Sequence, residues 1–155
     1  MRTWEKGEHS LADRDKNKGQ KLSLRIPSQT KKLLVVRKFI SDAAKSCGFK
    51  DDEVNKIALA VDEACTNIIK HAYNYAEDGE IDVAVYMRNS EFEVLIQDTG
   101  KNFNPRSVSV PDMKEYLTHY QRGGLGMYLM KKLMDKVEYR IQPHRNIVRL
   151  VKYLP

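Results

Sequence analysis

Cysteine is scarce in this chain, two in 155 residues, and neither Cys47 nor Cys65 has a companion at metal-ligand spacing. A disulfide framework or a zinc site is therefore not expected, and both cysteines, set among apolar residues at helical spacing, read as buried thiols. Long apolar runs are also missing. No segment approaches the roughly 20 residues that span a bilayer, and the start, Met1-Arg2-Thr3-Trp4-Glu5-Lys6, has no apolar signal core. These absences lead to the expectation of a cytoplasmic protein with no membrane partner. A recognition helix and an aromatic RNA-binding strand are absent as well, so the formal charge of +6 is not read as direct nucleic-acid binding. Basic residues mostly alternate with acidic ones. The exception lies near the end, where Lys131, Lys132, Lys136, Arg140, Arg145, Arg149 and Lys152 outnumber Asp135 and Glu138. Such a run suggests a positive surface for a phosphate-bearing ligand or an acidic partner, with a solvated face as the plainer reading.

What is present fits one domain, since a chain of this length buries roughly two-thirds of its unfolded surface. Residues 1–20 are charged and polar without periodicity and are expected to form a flexible extension, leaving 21–155 as the folded domain. Leu22, Leu24 and Ile26 alternate as a half-buried strand, and Pro27 stops it. Ser28 is the expected N-cap of a helix running to Cys47 with the stripe Leu33, Val36, Ile40, Ala43 and Cys47, which Gly48 ends. Asp51 or Asp52 is expected to cap a second helix that runs to about Tyr75. Its core stripe is Ile57, Ala60, Val61, Ala64, Ile68 and Ala72, while Glu63 and Asn67 lie on another face one turn apart, within reach of a common ligand. A hairpin follows, Ile81 to Met87 and Phe92 to Ile96 around Asn89-Ser90. The loop Asp98 to Pro105 and the irregular segment 106–122 read as a loop and a lid. Gly123-Gly124-Leu125-Gly126 opens a helix with the stripe Leu125, Leu129, Leu133 and Val137, at an N-terminus that suits an anion. Val137, Tyr139 and Ile141 alternate as a strand, Pro143 to Asn146 turns, and Ile147 to Leu154 forms the last strand. The whole reads as α+β: a two-layer sandwich with a mixed, mainly antiparallel sheet and about three helices on one face.

Three separated motifs now stand together: Asp62-Glu63-Ala64-Cys65-Thr66-Asn67-Ile68-Ile69-Lys70-His71-Ala72-Tyr73, Asp98-Thr99-Gly100-Lys101-Asn102-Phe103-Asn104-Pro105, and Gly123-Gly124-Leu125-Gly126-Met127-Tyr128-Leu129-Met130. In this order they resemble the nucleotide site of the superfamily that joins histidine kinases, type II topoisomerases, a heat-shock chaperone and mismatch-repair ATPases. Within it, they look most like the anti-sigma factor serine kinases of bacterial partner-switching systems, over about residues 22–153.

The resemblance implies a histidine-kinase-like ATPase fold that uses ATP and Mg²⁺. It implies Glu63 as the base that takes a serine proton, Asn67 as a Mg²⁺ ligand through its amide oxygen, and Asp98 as acceptor of the adenine amino group. Gly100 would keep the backbone near the base, with Phe103 in the same nucleotide-binding set. Gly123, Gly124, Leu125 and Gly126 would do the same for the phosphates, and Arg122 would meet the terminal phosphate. The implied partners are a sigma factor and an anti-anti-sigma antagonist domain, with the kinase acting as a homodimer. Two other readings share the motifs: a signalling kinase of the same branch that binds no sigma factor, and a nucleotide-binding regulator without transfer activity. Asn102 stands where other branches have glycine, and no phosphoacceptor-histidine helix pair is present, which fits the small kinase branch.

Overall fold

The computed structural model describes residues 19–102 and 125–155. The expected extension up to residue 18, Phe103, the segment 106–122 with Arg122, and Gly123 and Gly124 lie outside the described residues. The chain runs β1 (Gln20–Pro27), a 3₁₀ turn (Thr30–Lys32), α1 (Leu33–Ser46), α2 (Asp51–Asn67), a π turn (Ile68–Ala72), β2 (Glu80–Arg88), β3 (Glu91–Asp98), α3 (Leu125–Leu133), β4 (Lys136–Gln142) and β5 (Arg145–Tyr153). Five strands form one sheet in the order β1-β2-β3-β5-β4. Among the described residues every pairing is antiparallel, where a mixed, mainly antiparallel sheet is expected from the sequence.

Helix α2 is packed between α1 and α3 over the inner face of the sheet. Its stripe is the one that the helical period marks out: Ile57, Ala60, Val61, Ala64, Ile68 and Ala72 are all buried. They meet Ile81, Val83, Val85, Val94 and Ile96 from the two central strands. Phe49 and Phe92 close one end of this core edge-to-face, with ring centroids 5.6 Å apart. The β2–β3 hairpin turns on Asn89 and Ser90 as expected, at φ of 52° and 60°.

Four expectations change. Ser28 does not cap α1. It is buried, its hydroxyl donates to the Ala76 carbonyl at 2.5 Å and accepts from the Gly79 N–H at 3.0 Å, and the helix begins through the 3₁₀ turn instead. Neither Asp51 nor Asp52 is the N-cap of α2; Lys50 holds that position, and Asp51, Asp52 and Glu53 fill the first turn, where the helix dipole favours them. Along α3 and just past its end the fully buried residues are Met127, Met130 and Met134 rather than Leu129; of the expected stripe, Leu133 and Val137 are half-buried against the same core, Val137 already in β4, and the Leu125 side chain lies outside the described residues. Methionine and leucine both repeat at helical spacing here, and the packing selects the methionines. The positive run is only partly a free surface: Lys131, Lys132 and Arg145 are exposed, whereas Arg149 pairs with Glu91 and Glu93 of β3 and with Glu138 of β4, Lys136 with Glu91, and Lys152 with Glu53 of α2.

Cys65 is buried and Cys47 half-buried, and both are free thiols. Burial pushes the Cys65 thiol up to about 12, well away from reactivity. No described helix is long and apolar enough to cross a membrane.

Candidate active site

Glu63 and Asn67 sit on consecutive turns at the C-terminal end of α2, both partly buried on the side that faces α3. Gly126, in the first turn of α3, approaches them so closely that a Cβ there would lie 2.7 Å from Glu63 Oε2 and 3.6 Å from Asn67 Nδ2. A side chain at 126 would therefore press on the tip of Glu63, which must give way if the two helices keep this approach. Burial, and then the neighbouring charge of Asp62, raises the Glu63 carboxyl above its ordinary value. Asp62 is itself held in a fork by Arg37 of α1, at 2.8 and 3.1 Å.

Beyond Asn67 the helix widens. The Tyr73 N–H reaches back to Ile68 O at 3.1 Å, five residues away, and the wider turn lets Ile68, Ile69 and Ala72 all face the core. Asn74 and Tyr75, at φ of 48° and 64°, then end the helix in left-handed backbone. This leaves the Ala72 carbonyl free to accept from Lys101 N–H at 2.7 Å. The Tyr73 hydroxyl donates to Glu80 O at 2.6 Å and accepts from Thr99 N–H at 3.1 Å. The loop after β3 is therefore bolted to the end of the helix that carries Glu63 and Asn67. Gly100 is a requirement of that docking, since a Cβ there would lie 2.6 Å from Ala72 O and 2.8 Å from Ala72 C, which are backbone atoms.

Asp98 ends β3 and is 3% exposed. It lines an open-sided cavity together with Asn67, Ile68, Ala72, Tyr139, Arg140, Ile141 and Asn146. Burial raises the Asp98 carboxyl, and hydrogen bonds from Asn146 and Gly100 oppose the rise. The walls are apolar and the polar groups few and convergent, as in a pocket for a flat heterocycle. Asp98 offers it a buried carboxylate acceptor, and Asn67, in the same lining, is one turn of α2 from Glu63.

Residues 26–152 match the histidine kinase-like ATPase domain. The chain belongs to the histidine kinase-like ATPase family. It is 32% identical over 145 residues to the serine-protein kinase RsbW of Bacillus subtilis, covering 90% of this chain and 89% of that protein. It is also 32% identical over 139 residues to the serine-protein kinase RsbW of Bacillus velezensis, covering 86% and 85%. Among solved structures it resembles the RsbU and RsbW domains of a Mycobacterium tuberculosis protein, with a TM-score of 0.63 at 16% identity. That likeness is one of fold. It covers 87% of this chain, which spans about a third, 32%, of the larger protein.

Of the motif residues, Asn67 and Asp98 line the cavity, Gly126 lies against Glu63 and Asn67, and Gly100 packs on Ala72, which also lines the cavity. Leu125 opens α3 beside them. Phe103, Arg122, Gly123 and Gly124 lie outside the described residues. Lys70, His71 and Lys101 are exposed, and none of the three lines the cavity. For the metal, no group of three or more His, Cys, Asp or Glu side chains gathers among the described residues. A Mg²⁺ held by Asn67 would draw its remaining oxygen ligands from nucleotide phosphates and water, which is the usual preference of that ion. Three contributors have no signature in the sequence: the Ala72 carbonyl, the Tyr73 hydroxyl and Asn146. The turn signal around Pro143 points to Asn146 as a turn residue, yet it is the second residue of β5 and pairs in register with Asp98. A polar residue beside a turn signal carries no local mark of that cross-strand role.

Proposed function

We propose that this chain is an ATP-dependent protein serine kinase that holds a sigma factor inactive and phosphorylates a serine of an anti-anti-sigma antagonist domain. The observation that carries the reading is the approach of Gly126 to Glu63 and Asn67, with Asp98 buried in the cavity that Asn67 also lines. The relatives named serine-protein kinases, matched along most of their length, support it.

In this reading Asp98 accepts a hydrogen bond from the adenine amino group, worth about 1.5 to 3 kcal/mol because one partner is charged. Gly100 keeps the backbone against the base. Glu63 accepts the proton of the attacking serine hydroxyl as its oxygen bonds to the terminal phosphorus and ADP departs, and its raised pKa makes it a better base than an exposed carboxylate. Asn67 would hold Mg²⁺ through its amide oxygen, and the ion would supply charge neutralisation to the phosphates. Gly123, Gly124, Leu125 and Gly126 let the phosphates approach the start of α3, Phe103 belongs to the nucleotide-binding set, and Arg122 stabilises charge on the terminal phosphate. The chain works in the cytoplasm as a homodimer, with the polar residues ahead of β1 as an extension to the kinase domain.

The test is incubation with γ-labelled ATP and a candidate antagonist domain, together with capture of purified sigma factors. Label on an antagonist serine and nucleotide-dependent sigma capture are expected. ATP binding without transfer to any antagonist would refute the kinase reading. Transfer without sigma capture under any nucleotide condition would leave a signalling kinase of the same branch.

A further inference from the structure

The Asp98 carboxylate has two oxygens, and the protein uses them unequally. Oδ1 accepts from the Gly100 N–H at 2.9 Å and from Asn146 Nδ2 at 2.9 Å. Among the described residues no donor is directed at Oδ2. The same Asn146 amino group reaches Lys101 O at 3.2 Å and Gly100 O at 3.5 Å. Three oxygens thus surround Nδ2, which fixes the orientation of the amide, because a flipped side chain would set its own oxygen against all three. The Asn146 Oδ1 that results is buried and has no hydrogen-bond partner among the described residues. A buried acceptor left this way is unfavourable, so an asparagine is a costly choice for strand packing alone. The β3–β5 and β4–β5 registers set Asp98, Asn146 and Ile141 side by side in one row across three strands, and all three line the cavity.

We propose that Asn146 is the positioning residue that makes Asp98 selective for a 6-aminopurine: it commits Oδ1 to the protein, clamps the 98–101 loop to β5, and leaves Oδ2 as the single acceptor for the base. A carboxylate free to rotate would present either oxygen and would hold the amino group less rigidly. The inference rests on the proposed role of Asp98 in reading adenine. The chemistry recognised is an exocyclic amino donor, and a 6-oxo purine places an acceptor against the same oxygen.

The test uses the full chain and two probes, ATP and purine riboside triphosphate, which lacks the 6-amino group, with both Kd values measured by calorimetry. The wild type is expected to prefer ATP by at least about tenfold, from one charge-assisted hydrogen bond. Asn146→Val and Asn146→Thr have nearly the same shape and both suit a strand, but only threonine can donate. Asn146→Val is expected to reduce the preference to under about threefold by weakening ATP alone, and Asn146→Thr to keep most of it. Should the valine variant not fold, Asn146→Asp, equal in size and lacking the donor, is expected to lose the preference in its place. A valine or aspartate variant that keeps the wild-type preference overturns the role of Asn146 while leaving that of Asp98 standing. Equal weakening of both nucleotides also overturns it, since that is what a merely structural residue would do. A wild type that binds both probes alike overturns this inference together with the adenine-reading role of Asp98.

Discussion

Gly126→Ala separates what the fold needs from what the chemistry needs. The added Cβ would stand 2.7 Å from Glu63 Oε2, whereas Glu63 Cδ and Asn67 Nδ2 at 3.6 Å are at ordinary contact distance. The carboxylate must therefore retreat by about 0.7 Å or more to restore normal packing. It can do so, because Oε2 is the tip of a flexible side chain and the neighbouring backbone is not pressed. Alanine is also the better helix former, by up to about 1 kcal/mol, so the melting temperature should hold or rise by about 2 °C for a chain of this size. The displaced base is a different matter. A misplacement of about 1 Å at a reacting group costs on the order of 10²-fold in rate. Single-turnover transfer of label from saturating γ-labelled ATP to the antagonist domain, beside a melting curve, reads both quantities. A variant that transfers at the wild-type rate would refute the claim that Gly126 sets the position of Glu63. A variant that melts several degrees lower would show that the approach of α3 to α2 cannot be relieved through the side chain.

Glu63→Gln should bind ATP and lose roughly 10²- to 10⁴-fold in transfer. It should also reveal a pH signature: the Glu63 pKa is raised above 4.5 in the folded chain, so between the two values the folded state binds more protons and wild-type stability falls as pH rises. The variant's gain in melting temperature is therefore expected to be near zero below that window and full above it; a gain that is constant across pH would remove the assigned cause. Gly100→Ala sets a methyl against the Ala72 carbonyl, which is backbone and cannot swing aside. A loss of about 1 to 3 kcal/mol in urea unfolding is expected, and an unchanged midpoint would mean that the loop docks differently. Tyr73→Phe removes the hydroxyl that bridges Glu80 O and Thr99 N–H. A cost of about 1 kcal/mol is expected, with faster amide exchange at Thr99 and Gly100, and unaltered exchange there would refute the bolt.

The legible parts of this protein are the periodic ones. The α2 stripe, the Asn89-Ser90 hairpin and the alternation along the strands each follow from a spacing of 3.6 or 2 residues, and that spacing alone implies the α+β layering. Glu63 and Asn67 are legible for the same reason, as a pair off the buried stripe. Local signals that have more than one solution mislead. Ser28 carries the chemistry of a cap, but its hydroxyl is more fully satisfied by Ala76 and Gly79 across the fold. In α3 two apolar series overlap, and only contact with α2 and the sheet decides which is buried.

The linear chain alone is enough for most of the elements, the buried faces of α1 and α2, and the motif residues Glu63, Asn67, Asp98 and the glycines on which the proposed nucleotide site rests. These depend on covalent spacing and side-chain chemistry, which a linear chain carries in full. Only the tertiary structure decided what holds those residues in register: the π turn that frees the Ala72 carbonyl, the Tyr73 bolt, and the strand pairing that sets Asn146 against Asp98. Each joins atoms 26 to 48 residues apart in the chain or depends on a backbone group common to every residue, and such partners leave no local pattern to read.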